Sequence, residues 1–211
     1  MSETNSSDHK LEIAATILLA LAAISTAWAT YQSAVWRGEQ AKAQSASIAT
    51  RVESTRQAAV ANRQVQIDVS LFTQWVDATA RGEDELAAFY RKRFREEFVP
   101  AFDAWIATKP LESGDAPLSP FAMPEYRLAA QVEAEQLEEE AAAYGHAVAR
   151  NIERADDYML AVVLFAIALF FAALSIRLRS RDVRIALIGL GYVAFMGTVV
   201  WLATQPVSLS V

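Results

Sequence analysis

The sequence predicts an all-α protein: three transmembrane helices with a long extramembrane antiparallel helical hairpin and a distal helical head. Three observations carry this prediction. Residues 13–31, 158–176 and 185–204 contain no charged side chain. Residues 32–80 and 125–157 contain no proline and are rich in Ala, Gln, Arg and Glu, all good helix formers apart from a single glycine in each. Between them an apolar residue recurs every four positions, the spacing of one helical face.

The composition bounds the function. Of 211 residues, 54% are hydrophobic and 21% charged, so the chain is too apolar to remain disordered. With no cysteine it is neither a disulfide-stapled module nor a thiol enzyme. A net charge of −6 without a continuous basic surface argues against nucleic acid as a partner.

Residues 1–10 are polar and are expected to form a disordered cytoplasmic tail. The first span is assigned to residues 11–31, the second to 158–176 and the third to 185–205. At 1.5 Å per residue, each charge-free block reaches about 28–30 Å, the thickness of a hydrocarbon core. Ala27-Trp28-Ala29 also matches a signal-cleavage pattern, and cleavage of the first span is the alternative reading. The acidic flank of Glu3, Asp8 and Glu12 and the length of the apolar run favour a retained span.

Arg177, Arg179, Arg181 and Arg184 crowd the turn 177–184 against one acid, Asp182, which assigns that turn to the cytoplasm. The N-terminus is then cytoplasmic, while residues 32–157 and the C-terminal tail 206–211 lie outside. Trp28, Tyr31, Trp36, Tyr158 and Trp201 gather at the outer ends of the spans, where amphipathic rings anchor at the lipid interface. Ala23/Ala27 and Gly189/Gly197 offer small residues for close helix contact.

If the hairpin helices leave the bilayer near residues 31 and 158, facing residues have numbers adding to about 189. This register sets Arg37 opposite Glu153, Glu39 opposite Arg150, Arg51 opposite Glu138 and Arg56 opposite Glu133. The head is expected over residues 67–124. Leu86, Tyr90, Phe94, Phe98 and Phe102 form its stripe within a helical segment over 83–108 that Pro100 kinks or divides, and pack against Ile67, Leu71 and Trp75. Gly114 and Pro110, Pro117, Pro120 and Pro124 mark a loop beyond it.

No residue is assigned a catalytic, cofactor-binding or metal-binding role. His146, with Glu139 and Glu153 seven residues to either side, reads as a solvated or inter-helix histidine. No phosphate-cradling glycine loop or nucleophile elbow is present. The block Tyr90-Arg91-Lys92-Arg93-Phe94-Arg95 is interrupted at once by Glu96 and Glu97, so it reads as part of a packed head. Thr16, Ser25, Thr26 and Thr30 would line a pore only in an oligomer.

Residues 27–32 (Ala-Trp-Ala-Thr-Tyr-Gln), 36–40 (Trp-Arg-Gly-Glu-Gln), 66–72 (Gln-Ile-Asp-Val-Ser-Leu-Phe) and 94–98 (Phe-Arg-Glu-Glu-Phe) resemble a family of uncharacterised bacterial three-span integral membrane proteins of unknown function. The resemblance implies a bacterial inner membrane and carries over no catalytic residue. The expectation is a non-enzymatic, self-associating scaffold whose partners are the lipid bilayer, further copies of itself and a protein bound at the head. The alternative is a subunit of an oligomeric channel or gated membrane sensor.

Overall fold

A computed structural model describes residues 2–208 except 111, 113, 115 and 179, with side chains from His9 onward. Five α-helices and one 3-10 turn make up its regular structure: α1 (Ser2–Ala80), α2 (Asp84–Arg91), α3 (Val99–Ala107), the turn Pro120–Ala122, α4 (Ala129–Arg177) and α5 (Arg181–Leu202). No strand occurs among the described residues. Three helices, α1, α4 and α5, are long and apolar enough to cross a membrane. The chain divides into two compact units, Met1–Ser45 with Tyr144–Val211, and Ala46–Ala143.

α1 begins at Ser2, which corrects the expected disordered tail: residues 2–10 continue the helix that follows them. Extending an existing helix adds a hydrogen bond per residue without a new nucleus. α1 then runs unbroken to Ala80 and ends in a Schellman arrangement. There Glu83 N–H bonds Ala78 O at 2.9 Å and Gly82 N–H bonds Thr79 O at 3.1 Å, with Gly82 at φ 73°.

In the first unit, alanines line much of the inside and many large aliphatic side chains face outward. Ala15, Ala22, Ala29, Ala161, Ala168 and Ala172 are buried, with Leu18, Phe165 and Phe195 filling between them. Ile24, Phe170, Val193 and Val200 are 62–72% exposed. Gly191 is the point of closest approach: a Cβ there would lie 2.9 Å from Leu18 Cδ2 and 3.4 Å from Ala168 O. Gly189 and Gly197, the glycines expected at a contact, face open space, and Ala23 and Ala27 are exposed. The four-residue spacing was a permissive pattern; which face a helix buries depends on neighbours that spacing alone does not identify.

The aromatic belt divides. Trp28 and Tyr31 face outward, 43% and 46% exposed, with ring centroids 5.9 Å apart. Trp36 is buried under the Arg154 guanidinium, 4.5 Å from its ring, and Tyr158 is fully buried with its hydroxyl donating to Pro206 O at 3.2 Å. Trp201 packs half-buried on the apolar core. A tyrosine or tryptophan with a bonding partner or a stacked cation inside the bundle has no need of the interface. Gln32, fully buried, donates to Ser208 O at 3.0 Å and accepts from Ser208 N–H at 3.2 Å, so its amide fastens the segment after α5. Arg177 closes α4, while Arg181 and Arg184 lie in the first turn of α5; Arg179 lies outside the described residues.

Within each unit α1 and α4 run antiparallel. Ser33 donates to Ala155 O at 3.0 Å in the first unit. In the second, Ser47 donates to Ala141 O at 3.0 Å and Ser54 to Ala134 O at 2.8 Å. The numbers in all three pairs add to 188. A serine hydroxyl reaching the neighbouring backbone requires near contact between helices, which the small Ala134 and Ala141 permit.

Of the four charge pairs expected, Arg51 and Glu138 lie 3.4 Å apart. Arg37–Glu153, Glu39–Arg150 and Arg56–Glu133 are not ion pairs among the described residues. Glu39 pairs instead with Lys42 at 2.7 Å and Arg56 with Glu53 at 3.7 Å, each three residues away on its own helix. Equal height on two helices does not turn both side chains toward the seam, and a local partner is then nearer.

Candidate functional site

The second unit carries the most elaborate side-chain arrangement in the protein. The segment 83–108, expected as a helix kinked or divided at Pro100, is two helices, α2 and α3, separated by turns over residues 92–98. The break lies upstream of Pro100, which occupies the first turn of α3, where a missing amide hydrogen leaves no helical bond unmade. The interruption ends the common face. Leu86 is 37% exposed and Tyr90 half-buried with its ring 5.7 Å from Phe89, so neither joins the aromatic core that Phe94, Phe98 and Phe102 form. Ile67, 50% exposed, is outside it as well.

The core itself is a cluster of edge-on and stacked rings. Phe94, Phe98, Phe102 and Trp105 are buried, and Leu71, Phe72 and Trp75 of α1 pack against them. Phe72 meets Trp105 edge-on at 5.3 Å and Phe121 edge-on at 5.6 Å; Phe121 stacks on Phe98 at 5.2 Å. Phe121 and Met123 come from the segment expected to be only a loop, and Tyr126 from the start of the helix expected over 125–157, which begins only at Ala129. Such ring pairs contribute about 0.5–1.5 kcal/mol each beyond the area they bury. Trp105 also donates from Nε1 to Pro117 O at 2.7 Å, fastening that segment to α3.

A charged knot lies against this core. Asp68 of α1 is fully buried. Its Oδ2 accepts from Arg95 Nη1 at 2.8 Å and from the Tyr126 hydroxyl at 3.0 Å, while Oδ1 has no partner among the described residues. Arg95 bonds Glu97 with its other terminal nitrogen. Glu97 Oε1 in turn accepts the Ala129 N–H at 3.1 Å, setting a carboxylate at the N-terminus of α4, where the helix dipole favours negative charge. Four parts of the chain therefore meet: α1, the turns between α2 and α3, the segment before α4, and the start of α4. Burial raises the Asp68 carboxyl above its ordinary range, against the opposing pull of the Tyr126 hydroxyl and Arg95. Burial, followed by the Asp68 charge, also pushes the Tyr126 phenol up.

Beside the core is a cavity of about 390 Å³ lined by Trp75, Val76, Thr79, Ala80, Trp105, Ile106 and Pro110, with the Lys109–Glu112 ion pair (3.4 Å) also in its wall. Its size and apolar walls with few polar groups are those of a binding pocket.

No family model, no curated protein and no solved structure matches this chain.

The knot and the aromatic core tie α1 to the turns between α2 and α3 and to the segment before α4. Asp68, Arg95 and Glu97 are engaged with one another or with backbone. Among the described residues, no three His, Asp or Glu side chains converge as metal ligands. The hydroxyls of Thr16, Thr26 and Thr30 bond carbonyls four residues earlier on α1 itself. The sequence does hold one signal for the knot. Asp68 stands three and seven residues before Leu71 and Trp75, which puts an acid on the aromatic face of α1.

Proposed function

We propose that the chain is a non-enzymatic, membrane-anchored helical scaffold that presents its aromatic-cored unit to a protein partner and associates with further copies of itself. The observation that carries this reading is the inside-out packing of the first unit. Alanine, glycine and serine make its closest helix contacts, with Leu18, Phe165 and Phe195 filling between them, while Ile24, Phe170, Val193 and Val200 point away from the bundle. In water such a surface would be a large exposed apolar patch; in lipid it is the ordinary solvent-facing surface, and small residues at the contacts let helices approach. α1, α4 and α5 each contribute one crossing, spanning residues 11–31, 158–176 and 185–205.

The arginines at 177, 181 and 184 support a cytoplasmic turn between α4 and α5 and an outside location for residues 32–157. The resemblance in residues 27–32, 36–40, 66–72 and 94–98 supports a bacterial inner membrane. The Trp75–Trp105 cavity is the apolar recess where a partner's side chain would seat.

The test uses the absence of native cysteine. Leu118→Cys, at a side chain 99% exposed, is expected to react with a membrane-impermeant maleimide in intact spheroplasts; Ser180→Cys should react only after permeabilisation. Carbonate washing should leave the chain in the membrane fraction. Release by carbonate would overturn the anchoring, and the reverse labelling pattern would overturn the orientation. Turnover of a substrate by the purified chain alone would overturn the non-enzymatic reading.

A further inference from the structure

In the second unit the two antiparallel helices carry opposite charge. Residues 46–66 of α1 hold Arg51, Arg56 and Arg63 against Glu53, a net +2; residues 129–143 of α4 hold five glutamates and no base, a net −5. Among the described residues, Arg51 and Glu138 are the only ion pair across the seam. Arg63 has no ion pair among the described residues, and Arg56 has only Glu53 on its own helix. Glu133, Glu135, Glu139 and Glu140 likewise have no cationic partner among the described residues.

Helical geometry sets these leftover charges on outward faces. Ser47, Ser54 and Ala61 define the line of α1 that faces α4. At about 100° per residue, Ile48, Val52, Arg56, Ala59 and Arg63 are turned well away from it. Ile48 and Val52 are 55% and 64% exposed there. On α4 the facing line is Ala134 and Ala141, so Val132, Gln136 and Glu139 lie on the far side, with Val132 44% exposed. One outward face is apolar and basic; the other is acidic, with Val132 as its exposed apolar residue.

We infer that the outward face of α1 in one copy docks on the outward face of α4 in the next, a head-to-tail contact between copies of this chain. The occupant is a second copy because the same unit carries both complementary surfaces, and they cannot meet within one chain. Like faces would not serve: two α1 faces would bring arginines together and two α4 faces glutamates, which is repulsive. One point rests on the proposed membrane anchoring, namely that copies in one bilayer stand at equal height. The serine register then carries over between copies: Val52 faces Gln136, Ile48 faces Glu140, and Arg56 stands beside Val132 and Glu133. A contact of this kind repeats, closing into a ring or extending as a filament.

The experiment is oxidative cross-linking of the full chain in its membranes. Val52→Cys with Gln136→Cys in one chain should give a ladder of dimers, trimers and larger species, whereas Val52→Cys alone should give none. Arg56→Glu should reduce ladder formation at least fivefold. Adding Glu133→Arg should restore it. A strong dimer from Val52→Cys alone would overturn the inference in favour of a two-fold contact. Absence of any ladder in the double-cysteine chain, or a ladder indifferent to the arginine change, would overturn it too. Carbonate washing of the same membranes reports the anchoring separately, so a chain that stays in the membrane without a ladder disproves the contact and leaves the anchoring standing.

Discussion

Arg95 Nη1 donates at 2.8 Å to Asp68 Oδ2, a carboxylate oxygen that has no exposure to solvent. Twenty-seven residues separate the two in sequence, and the bond ties the turns between α2 and α3 to α1. Removing one member of a buried pair strands the other's charge, which costs about 3–5 kcal/mol. Because Glu97 still partners Arg95, Asp68→Ala should fall at the lower end, about 3 kcal/mol. Asp68→Asn retains an acceptor for the Tyr126 hydroxyl and should cost less. Tyr126→Phe, which removes one hydrogen bond, should cost about 1 kcal/mol. Amide hydrogen exchange over residues 64–75 and 94–105 measures all three, and equal protection in Asp68→Ala and wild type would dismiss the knot as a source of stability.

The same carboxyl gives the second unit a pH dependence of definite sign. Burial raises the Asp68 pKa in the folded state, with Tyr126 and Arg95 opposing and Glu97 adding to the rise. The folded chain therefore binds this proton more tightly than the unfolded chain. Its contribution to stability is largest below the ordinary carboxylate value of about 3.9 and is lost as pH rises through the raised folded value. Other carboxylates titrate nearby, so the informative quantity is a difference. Between pH 4 and 7, wild type minus Asp68→Asn should show stability falling as pH rises. A difference that grows with pH would mean that the arginine, not desolvation, dominates.

What could be read from the sequence follows the range of the physics involved. The apolar blocks of α1, α4 and α5 are visible because the absence of charge over about 20 residues is a local property. Antiparallel register was approachable through charge, since Arg51 and Glu138 do face each other. Yet the close contacts are serine to backbone carbonyl, and Ser47 or Ser54 looks like any polar helix residue until its neighbour is known. The turns at 92–98 were hidden because Leu86, Tyr90, Phe94, Phe98 and Phe102 keep a perfect four-residue period across a break. Periodicity reports which residues are apolar and is blind to where a helix stops. Phe121 is hidden because proline-rich segments read as solvated loops, although this one is fastened by the Trp105–Pro117 bond, and Tyr126 because residues 125–128 read as part of a helix that begins only at Ala129.

The serine contacts set a third expectation. Ser54 is buried and its hydroxyl reaches Ala134 O at 2.8 Å, so Ser54→Ala loses one hydrogen bond, worth about 1 kcal/mol. Ser54→Leu must instead push α4 away from α1 in this unit, and overpacking of a close seam costs about 1–3 kcal/mol. Hydrogen exchange should therefore show local loosening near 54 and 134 for alanine and loss of protection along 47–61 for leucine. Equal effects would mean that the seam tolerates bulk and that the hydroxyls do not set the helix separation.

Gly191 supplies the sharpest contrast within the first unit. A methyl group there would come within 2.9 Å of Leu18 Cδ2 and 3.4 Å of a backbone oxygen on α4, whereas one at Gly189 or Gly197 would meet nothing within 4 Å. Replacing glycine by alanine inside a helix otherwise gains about 0.8–1 kcal/mol of helical propensity. Gly189→Ala and Gly197→Ala should therefore leave thermal stability in detergent unchanged or slightly higher. Gly191→Ala obliges Leu18 to change rotamer, which offsets that gain, and Gly191→Val adds branches that the α4 backbone cannot make room for. The expected order of melting temperature is Gly189→Ala and Gly197→Ala highest, then wild type, then Gly191→Ala, with Gly191→Val far below. If Gly191→Val melted with wild type, α5 would not pack against Leu18 and Ala168 through this face.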